Sequence, residues 1–244
     1  MWGYKRYQTQ IVLVLFSLST LIQSLFFSWL VFAPLNFLYG VWHDYGGIEA
    51  GIAKYAPQNY YKEGFELSSR AERLELFAGI NKAIHAHGRG LAELRYGPDE
   101  TPLLREPEIV HLQDVANLID RLSVVVGVNS VFFVLLLILF YWRRERIPRW
   151  PDMLVALSAF VVLSLLVLWL VGFERVFNQF HVWIFPENHQ WFFYYQESLM
   201  STMMLAPRLF AYIAGLLAIS ALLIFSAIFW FLRRYLSVPA KSKP

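Results

Sequence analysis

The chemistry-bearing residues of the chain gather in two short stretches. One is His111-Leu112-Gln113-Asp114-Val115; the other is Phe180-His181-Val182-Trp183-Ile184-Phe185-Pro186, followed by Trp191. Each sets a histidine and polar partners beside a long apolar segment. An imidazole exchanges its proton near neutral pH, which suits it to acid and base work. Ionisable groups at membrane segments are costly enough that their presence points to use. His111 and Asp114 are three positions apart, so on a helix they share a face. A carboxylate there is placed to fix the imidazole tautomer and stabilise its charged form, as in catalytic triads and metal sites. The same spacing also suits an interfacial ion pair with no chemistry.

Long apolar segments must position these residues. The chain has 244 residues, 57% of them hydrophobic and 16% charged, too few charges to cover a soluble domain of this composition. Four segments, at about 11–33, 122–142, 153–173 and 209–232, reach the roughly 20 apolar residues that a hydrocarbon core requires. None has a charge at its middle. The first is too long for a signal-peptide core and lacks a small-residue cleavage pattern after it, so it is expected to stay as an anchor. The predicted fold is an all-α membrane protein, a single membrane domain over 1–244. It has four transmembrane helices and an extracytoplasmic helical cap built from 34–121 and 174–208.

Orientation follows from the basic residues. Lys5 and Arg6 precede the first span, Arg143, Arg144, Arg146 and Arg149 fill the short turn after the second, and Arg233, Arg234, Lys241 and Lys243 follow the last. Alternating spans put all three groups, and both termini, on the cytoplasmic side. The net charge of +3 is then mostly topological and gives no reason to expect nucleic acid as a partner. The chain contains no cysteine, which excludes disulfides, thiol nucleophiles and thiolate metal sites.

Within the outward segments, 34–66 is rich in Gly, Tyr and Asn and reads as irregular. Ser69-Arg70-Ala71-Glu72 is a capping-box pattern. It opens a helix expected over 69–94, in which Leu74, Phe77, Ile80, Ile84 and Leu91 recur at helical spacing. Gly97-Pro98 ends that stretch, and His85 and His87 read as solvated or helix-end residues. Pro107-Glu108 suits a first helical turn. The helix it opens would carry His111 and Asp114 and run on through Asp120 and Arg121 into the second span. In the second outward segment the aromatics around Trp183–Tyr195 form an interfacial belt, a reading that leaves His181 unexplained. His189 sits in a Pro-Glu-Asn-His turn and reads as exposed.

A four-span chain with an H-[LM]-x-D-V segment before the second span and an F-H-x-x-F-[FP]-x-x-x-W segment after the third resembles the bacterial lipoprotein intramolecular transacylase family. The resemblance covers the topology, the outward helix from Ser69, the motif His111–Val115 and the run from Phe180 through Trp191 to Pro207. Ile184-Phe185-Pro186, and His189 beside Trp191, depart from the pattern. The resemblance implies an acyltransferase of the bacterial cytoplasmic membrane, working on its extracytoplasmic face without a cofactor or metal. Its substrates would be diacylated lipoproteins and their lipid chains. The reaction implied moves the sn-2 acyl chain of the diacylglyceryl-cysteine to that cysteine's α-amine, giving the N-acylated lyso-form. The family's two critical histidines map onto His111 and His181.

That chemistry suits the residues. Holding amine and ester of one molecule together can contribute about 7–11 kcal/mol. Two imidazoles can then remove the amine proton and protonate the leaving alkoxide, with Asp114 orienting His111. Donors for the developing oxyanion, or contacts to substrate, are sought in Arg175, Asn178, Trp183 and Trp191. No serine has a recognisable nucleophile setting, which fits direct transfer. Two other classes stay open on the residues alone. Two imidazoles from different helices can hold a haem iron or, with Asp114 and His189, a metal. Alternatively the cap is the binding face of a non-catalytic assembly or transport component. The spans carry no Gly-Pro breaks or internal charge pairs of the kind a transport path uses.

Overall fold

A computed structural model describes residues 2–143, 163 and 166–236. These are mostly helical: α1 (Trp2–Phe32), α2 (Tyr39–Tyr45), α3 (Ile48–Tyr55), α4 (Arg70–Ile84), α5 (Glu106–Arg143), α6 (Phe173–Ile184), α7 (Leu199–Met204) and α8 (Arg208–Leu236). A two-stranded antiparallel ribbon, β1 (Arg95–Tyr96) with β2 (Thr101–Pro102), lies between α4 and α5, Arg95 facing Pro102 and Tyr96 facing Thr101.

Three described helices are long and apolar enough to cross a membrane, over Val14–Phe32, Glu106–Leu139 and Arg208–Leu232. They coincide in sequence with the expected first, second and fourth spans, and the chain is a helical integral membrane protein. Of the third expected span, 153–173, only 163 and 166–173 are described, with 166–171 helical. Its remaining residues lie outside the described ones, as do Arg144, Arg146, Arg149, Lys241 and Lys243.

The chain divides into two compact units, one from Met1–Leu30, Val124–Leu170 and Leu217–Pro244, the other from Val31–Ser123 and Val171–Leu216. In the first unit, Phe16 stacks on Phe133 with ring centroids 5.6 Å apart and meets Phe229 edge-on at 5.5 Å. A polar network ties α1 to α5. Ser19 donates to Asn129 Oδ1 at 2.9 Å, and Asn129 Nδ2 donates back to the Ser19 carbonyl at 3.1 Å and to Gln23 Oε1 at 3.3 Å. Ser130 also donates to Gln23, at 3.0 Å. Where lipid offers no hydrogen bonds, such side chains find one another across helices and fix their register. The outward faces of these helices, among them Val124, Val128 and Leu135, are exposed and apolar, as lipid contact requires.

The second unit packs around Tyr39, whose ring stacks on Phe77 at 4.0 Å and whose hydroxyl donates to the Met203 carbonyl at 2.8 Å. That residue joins α2, α4 and α7. The region 34–66, expected to be irregular, instead contains α2, α3 and three short 3₁₀ turns. Each is too short to give a periodic signal, and Gly47 and Gly64, both at positive φ, separate them.

The cap of α4 forms as its sequence predicts, with Ser69 Oγ accepting from Glu72 N at 3.1 Å. The Glu72 carboxylate does not reach back to complete the box; it accepts from Gly97 N at 2.7 Å. The helix also ends earlier than expected, at Ile84. His87, Gly88 and Gly90 all take positive φ and turn the chain, so that Leu91 is buried from a turn rather than from a helical face. By contrast α5 is continuous over 38 residues, as the reading from Pro107 predicts.

Asn129 is the hub of the first unit's polar network. Its replacement by alanine is expected to destabilise the protein by about 1–2 kcal/mol, since Gln23 and Ser19 lose their partner across the helices. Thermal unfolding of the purified protein in detergent checks this; an unchanged midpoint means that the network is not holding the helices in register.

Candidate active site

Three polar residues recur every third position at the start of α5: Glu108, His111 and Asp114. At 1.5 Å per residue α5 is about 57 Å long, nearly twice a hydrocarbon core, and these residues stand in its first turns. The opposite wall is α6, whose last turn carries His181, and the non-helical segment 185–198 that follows.

The structure brings His111 and His181 together. Their ring centroids are 5.9 Å apart, and both residues are buried. Phe185 lies against both rings, 5.0 Å from His111 and 5.2 Å from His181. Phe193 approaches His111 at 6.1 Å. Phe177 and Trp191 pack on His181 at 4.2 and 5.0 Å. The two imidazoles thus share one aromatic enclosure, whose packing holds the ring planes.

The tautomer of His181 follows from its backbone contact. Nδ1 lies 2.7 Å from the Phe177 carbonyl oxygen, one helical turn back. A carbonyl only accepts, so Nδ1 carries the proton and Nε2 has the free lone pair. Burial pushes the His181 pKa below its ordinary 6.5, because the enclosure disfavours the charged ring; the Phe177 carbonyl opposes this in part. His111 has no such handle. Its Nδ1 is buried and has no hydrogen-bond partner among the described residues.

Asp114 does not hydrogen-bond His111 as expected. Its Oδ2 accepts from His189 Nδ1 at 2.6 Å, and His189, read as exposed, is half-buried in that contact. Spacing on one helix only offered His111 to the carboxylate; the loop supplies a better-aligned donor. Glu108, which the sequence reading passed over, is fully buried. Its Oε1 accepts from Ser198 Oγ at 2.5 Å and its Oε2 from Arg105 N at 2.7 Å. The signal for Glu108 was available as an acidic residue at the third helical position, a place from which side chains reach back to the free first-turn N–H groups.

Of the four residues expected to bind substrate or oxyanion, the structure places Trp191 against His181. Arg175 and Trp183 are exposed, and Asn178 is half-buried without a recorded contact to either histidine. Among the described residues no group of three or more His, Asp or Glu has metal-binding geometry.

This arrangement defines a class: a helical membrane protein whose two buried imidazoles, seventy positions apart in the chain, meet in an aromatic enclosure beside an apolar helix end. Comparison with known proteins agrees with the helical membrane fold. Residues 100–210, which contain both histidines, match the family described as lipoprotein intramolecular transacylase Lit. The in meso structure of the membrane integral lipoprotein intramolecular transacylase Lit from Bacillus cereus, carrying a point mutation, is similar in fold. It aligns with a TM-score of 0.65 at 15% identity over 96% of this chain and 94% of that one. No curated protein sequence matches the chain. The family match supports a lipoprotein transacylase role.

The His181 ring is expected to titrate below 6.5 and to carry its proton on Nδ1 when neutral. Nitrogen-15 chemical shifts of labelled histidine, assigned with a His181→Gln variant, check both. The sign for stability follows. With the folded pKa depressed, the unfolded chain binds the proton more readily, so His181 weakens the fold as pH falls below about 6.5. A ring titrating at or above that value is the contrary result.

Proposed function

We propose that the protein is an intramolecular acyltransferase that moves the sn-2 acyl chain of a lipoprotein's diacylglyceryl-cysteine to the α-amine of the same cysteine. The observation that carries this reading is the 5.9 Å approach of His111 and His181 within the stretch matched by the transacylase family. The basic residues at Lys5, Arg6 and Arg143 support an orientation with this site on the extracytoplasmic face of a bacterial cytoplasmic membrane.

In the proposed step the amine nitrogen attacks the ester carbonyl carbon while His181 Nε2 takes the amine proton. The carbon–nitrogen bond forms and the carbonyl oxygen takes the negative charge. Collapse breaks the bond to the glyceryl oxygen. His111 gives that oxygen a ring proton and regains one from the His181 imidazolium, so no net proton is gained or lost. The depressed pKa of His181 favours the neutral base at pH 7. Trp191, against His181, is the indole N–H donor we assign to the oxyanion. Asp114 takes no proton in this scheme, since its carboxylate is engaged by His189.

Two imidazoles rather than a nucleophile fit the substrate. Amine and ester arrive on one molecule, so the site need only fold it and move protons. Glutamine at either His111 or His181 is expected to lower the rate on the order of 10²–10⁴-fold, the range of a lost general acid or base. The assay is expression in a bacterium lacking N-acylated lipoproteins, with mass spectrometry of lipoprotein N-terminal peptides. Wild type should yield N-acyl, monoacylglyceryl cysteine, and both variants should lose it at equal membrane abundance. Variants that still form the product would remove the histidines from the chemistry.

A further inference from the structure

His111 is held by packing alone. Its Nδ1 is buried without a partner among the described residues, and the carboxylate three positions on belongs to another histidine. What packs on it is the segment 185–198, through Phe185 at 5.0 Å and Phe193 at 6.1 Å. That segment has no helix or strand of its own to hold it in place. It is tied to α5 at two points, one turn to either side of His111. Ahead of the histidine, fully buried Glu108 accepts from Ser198 Oγ at 2.5 Å, and Ser198 also caps α7 by accepting from Ser201 N at 2.9 Å. Beyond it, Asp114 accepts from His189 Nδ1 at 2.6 Å.

We propose that residues 185–198 form a clasp over His111, closed by the Glu108–Ser198 and Asp114–His189 hydrogen bonds, and that His189 and Asp114 are positioning residues for the reaction. The clasp sets the orientation of the His111 ring and keeps Trp191 on His181. Asp114 then acts on His111 through the loop and not through a bond to the ring. His189 is the partner that makes this possible. The catalytic part of the inference rests on the transacylase reading; the clasp itself does not.

Two measurements test it, on the full-length protein in membranes or detergent. The first is turnover of His189→Ala, Asp114→Ala and the double variant. Each single change is expected to lower kcat by about tenfold with KM little moved, as for a misplaced catalytic ring. The double variant should be no slower than the slower single, because both remove one interaction. Multiplying losses in the double variant, or a His189→Ala protein as fast as wild type, overturns the positioning role. The second readout needs no turnover. Ethoxycarbonylation of His111 by diethyl pyrocarbonate, mapped by mass spectrometry, should speed up several-fold in both single variants while the thermal midpoint stays near wild type. An unchanged rate overturns the clasp even where the transacylase assay succeeds. A wild type that forms no N-acylated product, with His111 unmasked in the variants, keeps the clasp and removes only the reaction assigned to it.

Discussion

The constraint on which the site depends is desolvation. Two imidazoles brought within 5.9 Å in an enclosure of Phe177, Phe185, Trp191 and Phe193 cannot both carry charge at modest cost. Like charges at that separation repel strongly where water does not screen them. The enclosure therefore favours neutral rings, and the Phe177 carbonyl, by holding the proton of His181 on Nδ1, leaves the lone pair of that neutral ring on Nε2. In the proposed reaction this is the state required before an amine can be deprotonated.

Rigid supply of the first histidine comes from α5. A helix of 38 residues cannot fit within the hydrocarbon, so one continuous rod serves as both membrane span and site wall. The apolar, exposed outer residues of the rod and the buried polar ones at its start are consecutive parts of one element.

The apolar helices over Val14–Phe32, Glu106–Leu139 and Arg208–Leu232 and the α5 continuation were legible because long apolar runs and a proline-led first turn are local signals. The pairing of His111 with His181 was not readable from periodicity; it entered through a resemblance between two motifs seventy positions apart. Asp114 shows where local reasoning stops. Spacing on a helix gives proximity to His111, but a carboxylate goes to the donor with the best geometry, and that donor, His189, came from an irregular loop whose path no pattern reveals. The early end of α4 has the same cause. Leu91 keeps helical spacing in the sequence, while the positive-φ residues His87, Gly88 and Gly90 decide the backbone.

The three-residue rhythm at the start of α5 divides the labour by burial and partnership. Glu108 is wholly buried, a position that is costly for a carboxylate unless its oxygens are filled. Ser198 and the Arg105 backbone fill them, while the Arg105 guanidinium lies 3.5 Å away. A buried charge satisfied in this way adds little net stability but is unforgiving of misplacement, so it specifies one arrangement of loop on helix. Asp114 does the same at lower cost, near the surface. Between them His111 keeps a ring with no polar tether, and that is the property a proton carrier needs: a group already bound to a carboxylate would hold its proton more tightly and release it less readily to a leaving alkoxide. Directional bonds thus fix the frame, and the residue assigned to the chemistry is left to packing.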